Sequence, residues 1–132
     1  LRAALDERTT SQGAAQFASG NREGSFRERL LHAVEQHAVA YEDQGNFFRA
    51  MQIDRWNSEV LRKRYDRDNH RLRKDLEDWL PELKSLSPHR REAVDSAASF
   101  ETWQRLREHQ HQSIEASIDI VYDMIKVLMT AP

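Results

Sequence analysis

SIEASIDIVYDMIKVLM, residues 113–129, is the most apolar stretch of this chain and the one that decides its fold. Its first apolar stripe consists of Ile114, Ile118, Val121, Ile125 and Leu128. This spacing of three and four positions is that of one face of an α-helix. Its second stripe consists of Ile120, Met124 and Val127. A helix with two apolar stripes needs cover on a second side, so we expect it to be both the spine of a helical domain and half of a homodimer interface.

The composition of the chain indicates one helical domain. Its 132 residues can bury a single core, and its 4 glycines and 3 prolines are too few for a turn-rich β protein. The absence of cysteine excludes disulfides and thiolate metal sites, and a formal net charge of −2 does not favour a polyanion-binding surface. No run approaches the roughly 18 apolar residues of a membrane span, and the N-terminus lacks the apolar core of a signal peptide. We therefore expect a cytoplasmic protein with no membrane partner.

Helical periodicity and capping signals predict an all-α bundle of five to six helices. Ser25 and Glu28 have the spacing of a capping box, Ser87 precedes a proline at a first helical position, and Ser113 is placed to cap the last helix. Gly45 is expected to stop a helix. The expected helices span about 26–43, 47–53, 54–80, 88–111 with a bend near 96–99, and 114–129, after a short helical start at 1–10.

No cluster of residues suggests catalysis. Glu108 and His111 have the ExxH spacing of a carboxylate-bridged di-iron site, but such a site needs two such pairs and the chain offers one. The chain also lacks a Gly-rich phosphate loop and a GxSxG nucleophile motif. We therefore expect no enzyme activity, no catalytic residues, no metal and no other cofactor. A helical-bundle metal enzyme stays open as the alternative.

Aromatic residues on several predicted helices raise the question of a cavity. The residues concerned are Tyr41, Phe47, Phe48, Trp56, Tyr65 and Trp103. Ordinary core packing explains any one of them, but together with Met51 they are also able to line a small-molecule site between helices. Composition does not separate these two cases, so a structural helical adaptor with a filled core is a second alternative.

The stretch 78–129 resembles the ligand-binding domain of TetR-family transcriptional regulators. The similarity rests on WLP at 79–81, LSP at 86–88 followed by Arg90 and Arg91, FETWQRLR at 100–107, and the serine-capped terminal helix. Many members of this family have a Trp where this chain has Phe100, and Gly-Leu-Ser where it has HQS at 111–113.

The resemblance implies a division of the chain and a regulatory role. Residues 1–24 would be the remnant of a connecting helix and loop, and residues 25–132 an effector-binding and dimerisation domain. In that family the last two helices pair with those of a second subunit as a four-helix bundle, and the preceding helices enclose an effector pocket. The implied partners are a second copy of the chain, a small hydrophobic or amphipathic effector, and DNA only through an N-terminal helix-turn-helix domain of a longer parent protein.

The same resemblance, combined with the apolar patterns, assigns residues to two sites. The expected ligand-binding residues are His37, Tyr41, Phe48, Met51, Gln52, Trp56, Val60 and Trp103. The expected dimer interface consists of Trp103, Leu106, Ile114, Ile118, Val121, Tyr122, Ile125 and Leu128.

Overall fold

The computed structural model describes residues 22–132, which contain six α-helices and no strand. The helices are α1 (Phe26–Asp43), α2 (Gly45–Asp54), α3 (Glu59–Trp79), α4 (Pro88–Ala97), α5 (Phe100–Gln104) and α6 (Ile114–Thr130). A 3₁₀ turn, Pro81–Ser85, joins α3 to α4, and a π-helical turn, Arg105–His109, continues α5. The predicted all-α class is thereby confirmed. The expected helical start at 1–10 lies outside the described residues, as does most of the expected remnant at 1–24.

Serine caps begin five of the six described helices. Ser25, Ser58, Ser87, Ser99 and Ser113 each accept a hydrogen bond from a backbone N–H in the first turn. Such a cap contributes about 1 kcal/mol, because it satisfies an amide that has no partner within the helix. The capping box of Ser25 and Glu28 is complete, as the sequence predicted.

Three helix boundaries differ from the sequence prediction. Gly45 does not stop a helix but begins α2, since Gln44 is both the C-cap of α1 and the N-cap of α2. The long charged helix begins at Glu59 and not at residue 54, because Ser58 adopts an extended backbone and caps it. The bend expected near 96–99 is a full break, with Ala98 ending α4 and Ser99 capping α5.

The core lies where α1 and α6 pack together, with α3 against α1 and α4 against α6. Its most enclosed side chains include Leu30, Trp79, Leu80 and Ile125, all 0% exposed. Complete burial of one such side chain stabilises the fold by about 1.5–3 kcal/mol. These contacts fix α1, α3 and α4 around α6, and so fix the cleft described below.

The structure corrects the assignment of α6 residues to a dimer interface. Six of the eight expected interface residues are buried within the chain itself: Trp103, Leu106, Ile114, Ile118, Val121 and Ile125. Tyr122 and Leu128 are partly buried against the same core. Their stripe faces the domain's own core, because α1 and α4 both pack on that side of α6. The apolar side chains left at the surface of α6 belong to the second stripe, with Met124 39% and Val127 59% exposed.

Candidate functional site

A cleft of about 230 Å³ opens between α1, α3 and the junction of α4 with α5. Its lining residues are His37, Tyr41, Asn69, Leu72, Arg73, Leu76, Asp95, Ala98, Ser99 and Glu101. Leucine and alanine side chains give it apolar walls, while histidine, asparagine and carboxylate groups add polar ones. Apolar walls with a few convergent polar groups are typical of small-molecule sites.

The residues that α3 contributes to the cleft lie on one face of the helix. Leu72 and Arg73 are three and four positions after Asn69, and Leu76 is three and four positions after Arg73 and Leu72. The break between α4 and α5 supplies Ala98 and Ser99 to the opposite wall, and the first turn of α5 adds Glu101.

The core beside the cleft is filled. A small cavity of about 10 Å³ shares His37, Tyr41 and Leu76 with the cleft and reaches Trp103 and Ile125 on its inner side. This volume corresponds to roughly one water molecule. Any ligand larger than water would therefore occupy the cleft between the helices and not the interior of the bundle.

Tyr41 joins α1 to the α4–α5 junction at the base of the cleft. Its hydroxyl donates a hydrogen bond of 2.7 Å to the carbonyl oxygen of Ala98. Its ring packs edge-on against Phe48 and Phe100, each with a centroid separation of 5.4 Å. Burial raises the pKa of the Tyr41 hydroxyl far above its ordinary value, so this group remains a protonated donor.

His37 contributes a buried ring nitrogen to the cleft wall. The side chain is 8% exposed, and its Nε2 atom lies 3.4 Å from Oδ2 of Asp75. That contact does not have the geometry of a hydrogen bond, and Nε2 makes no other. A polar atom buried without a hydrogen bond costs free energy, and the nearby carboxylate of Asp75 offsets part of that cost as an ion-pair partner when the ring carries a charge.

The opposite wall of the cleft is acidic. Glu101 accepts a 2.8 Å hydrogen bond from the hydroxyl of Tyr65, which orients its carboxylate. Burial raises the pKa of Asp95, and the opposing effect of Arg73, whose Nη1 lies 3.7 Å from Oδ2 of Asp95, does not cancel it. Arg73 instead donates two hydrogen bonds to Glu92, of 2.6 and 3.1 Å. Asp95 therefore shares Arg73 with Glu92 and keeps no arginine for itself.

The cleft contains only part of the expected ligand-binding set. His37 and Tyr41 line it, and Trp103 lines the small cavity beside it. Phe48 stacks on Phe100 at a centroid distance of 4.9 Å and lines a more open groove of about 540 Å³ on the other side of Leu72.

Four further expected ligand-binding residues lie away from the cleft. Met51 is buried at 5% exposure, and Gln52 donates a 3.1 Å hydrogen bond to Gln104. Trp56 and Val60 are 72% and 75% exposed, so the expectation that they wall an interhelical cavity is corrected. Trp56 is exposed because residues 55–57 form a turn before α3, and Val60 lies on the outward side of the first turn of that helix.

The sequence interpretation missed the polar half of the cleft. The three polar residues of the cleft lie in or beside charged stretches of the sequence, a pattern typical of a solvated helix face. They are Asn69, Asp95 and Glu101. One signal was present: Tyr65, Asn69, Leu72 and Leu76 follow a helical spacing in which only Asn69 is polar. An amide on an otherwise apolar stripe is a sign of a polar contact within the domain.

The two residues of the ExxH pair, Glu108 and His111, are both exposed. Nη1 of Arg49 lies 2.8 Å from Oε1 of Glu108, and His109 is exposed as well. Among residues 22–132, no three histidine or carboxylate side chains come together as a metal ion would require. None of the helices in this part of the chain has the length and apolarity needed to cross a bilayer.

Comparisons with known protein families, with curated proteins and with solved structures find no match for this chain.

Proposed function

We propose that residues 25–132 are the effector-binding and homodimerisation domain of a cytoplasmic, TetR-like transcriptional regulator. In this proposal a small amphipathic molecule bound in the cleft controls DNA binding by an N-terminal helix-turn-helix domain of a longer parent protein. The proposal assigns binding, and not catalysis, to the cleft.

The observation that carries the proposal is the cleft of about 230 Å³, whose walls combine apolar side chains with histidine, asparagine and carboxylate groups. A structural adaptor with a filled, close-packed interior has no need of such a cleft. A binding site uses the same groups to orient a ligand.

The position of the cleft is suited to regulation by linkage. A ligand there would contact α1, α3 and the α4–α5 junction. The hydrogen bond from Tyr41 to Ala98 joins the first of these elements to the last. A ligand shifts the equilibrium between two arrangements of these elements only by the difference between its binding free energies for the two. This difference is typically about 1–3 kcal/mol.

The backbone at His111 supports the resemblance to TetR regulators. This residue has a φ of 55°, the left-handed conformation that favours glycine. It stands where many members of the family have the glycine of Gly-Leu-Ser. The same turn before the last helix is therefore compatible with both sequences.

The homodimer part of the proposal rests on the outer stripe of α6, which consists of Ile120, Met124 and Val127. Met124 and Val127 are exposed on a helix whose other face is anchored in the core. An exposed apolar stripe on a rigid helix is suited to isologous pairing with a second copy, as in a four-helix interface.

Ligand binding in the cleft is tested by blocking it. A fragment library with equal numbers of cationic, neutral and anionic members is screened by ligand-observed NMR against the wild-type chain and two variants. Leu72→Trp places a large ring at the cleft wall, whereas His70→Trp places the same ring at an exposed position on α3.

We expect fragments to bind the wild type and His70→Trp but not Leu72→Trp. Fragment binding that survives Leu72→Trp, or the absence of any bound fragment, would contradict the proposal.

A further inference from the structure

The charges around the cleft leave it with an excess of negative charge. Asp95 and Glu101 line it, and among residues 22–132 Arg73 is the only arginine or lysine that does so. The guanidinium of Arg73 is already used by the carboxylate of Glu92, with Nη2 2.6 Å from Oε2, and Glu77 lies 3.9 Å from it. A ligand in the cleft therefore meets two carboxylates and one largely neutralised cation.

The environment of Asp95 also favours a positively charged ligand. Besides burial, the negative charges of Glu92, Glu101 and Glu77 raise the pKa of Asp95, and Arg73 opposes them incompletely. A carboxylate in such a field is stabilised by any additional positive charge that approaches it. Within the described residues the cleft offers no second arginine or lysine to play that part.

A second feature is the pair of polar side chains beside the acidic wall. His37 lines the cleft with its side chain more than nine-tenths buried, and its Nε2 atom lies 3.4 Å from the carboxylate of Asp75. Asn69 provides an amide on the neighbouring wall. A group with several N–H donors would be able to bond to the carboxylates and to the amide oxygen of Asn69.

The rest of the wall is apolar. Leu72, Leu76 and Ala98 lie between the acidic wall and His37, and Tyr41 adds an aromatic ring. The cleft is smaller than the roughly 300–1,000 Å³ typical of pockets for drug-sized ligands. Its occupant must therefore be small and must combine an apolar body with a charged end.

From these features we infer that the cleft binds a small organic cation, a protonated amine on an apolar body, with its ammonium group between Asp95 and Glu101. The inference rests on the proposed function, because it names the chemical class of the effector. It adds a role for Asp95 and Glu101 as the residues that select for charge.

The test uses three probes of nearly equal size: 2-phenylethylamine, which is a cation at pH 7, 2-phenylethanol, which is neutral, and phenylacetate, which is an anion. Isothermal titration calorimetry on the full chain measures the affinity of each. Asp95→Asn and Glu101→Gln remove one negative charge with little change of shape. Asp78→Asn removes an exposed charge from α3 and is the matched control.

The amine is expected to bind at least about tenfold more tightly than the alcohol or phenylacetate, since hydrogen bonds between charged groups are the strong ones. Asp95→Asn and Glu101→Gln should each weaken amine binding about tenfold, with Asp78→Asn unchanged. If circular dichroism shows one of these two variants to be unfolded, the other variant and the affinities of the three probes still test the inference.

Two results would overturn the inference. One is equal or tighter binding of the alcohol or phenylacetate in the wild type, or no binding of the amine at millimolar concentration. The other is amine binding that Asp95→Asn, Glu101→Gln and Asp78→Asn leave equally strong. In either case, fragments of other charge that bind the wild type but not Leu72→Trp would leave the proposed function standing. If no fragment binds the wild type, both the inference and the proposed function are overturned.

Discussion

Glu42 and Arg107 form a two-pronged ion pair that ties the end of α1 to the π-helical turn. Nε and Nη2 of Arg107 donate to the two carboxylate oxygens of Glu42 at 3.1 and 3.0 Å. The indole N–H of Trp103 donates to the same carboxylate at 2.9 Å. Arg107 also donates from Nη1 to the carbonyl of Gln112 at 2.8 Å. One arginine thus connects α1, the π-helical turn and the segment that leads into α6.

Replacing this arginine should destabilise the domain. Arg107→Ala removes two charged hydrogen bonds from Glu42 at a site where both side chains are about three-quarters buried, with 27% and 25% exposed. We expect a loss of about 1–3 kcal/mol in the free energy of unfolding, measured by urea denaturation. Arg107→Lys should lose less, because it keeps the charge but not the planar fork.

Arg105→Ala is the matched control, since Arg105 is exposed on the same π-helical turn. Equal losses for Arg105→Ala and Arg107→Ala would show that the turn, and not the ion pair, accounts for the effect.

The left-handed residue before α6 should tolerate glycine better than histidine. His111 has a φ of 55°, where a side chain is strained and glycine is not. We expect His111→Gly to raise the free energy of unfolding by up to about 1 kcal/mol. His109→Gly, within the π-helical turn, should lower it by a similar amount because glycine weakens helical segments. Destabilisation by both substitutions would contradict this interpretation of the turn.

The two faces of α6 should respond differently to a charge. Val127→Glu lies on the outer stripe and should leave the helical circular dichroism intact while converting a dimer to a monomer. Ile125→Glu buries an unpaired charge in the core, where Ile125 is 0% exposed, and should unfold the domain.

Sedimentation equilibrium at tens of micromolar measures the oligomeric state of both the wild type and Val127→Glu. A wild-type monomer at that concentration would refute the homodimer proposal, and a Val127→Glu dimer would refute the assignment of the interface to the outer stripe.

Asp95 should make stability depend on pH in an identifiable direction. Because burial raises the pKa of Asp95 in the folded state, its ionised form is less stable there than in the unfolded chain. Its contribution is therefore fully present below the ordinary aspartate pKa and is lost as pH rises through the raised value. At pH 7, Asp95→Asn should raise the melting temperature, and the difference should vanish as pH falls to the ordinary aspartate range.

Melting curves of the wild type and Asp95→Asn between pH 3 and 7 measure this difference. A variant that melts below the wild type at neutral pH would show that Arg73 outweighs burial.

The sequence by itself determined the all-α class and the beginnings of three of the six described helices. The caps at Ser25, Ser87 and Ser113 were recognisable because each bonds to a backbone amide only a few residues away. The periodicity of α6 identified its two apolar stripes for the same reason: positions along one helix have a fixed geometry. Such local interactions need no knowledge of the rest of the chain.

Only the tertiary structure decided which stripe of α6 meets the core and which residues line the cleft. Periodicity groups residues on a face but does not say which helix covers that face, so Ile118 and Ile125 were assigned outward although they point inward. The cleft combines His37 with Asp95 and Glu101, more than fifty positions away. Their proximity depends on how α1, α3 and α4 pack, which is set by contacts distant in sequence.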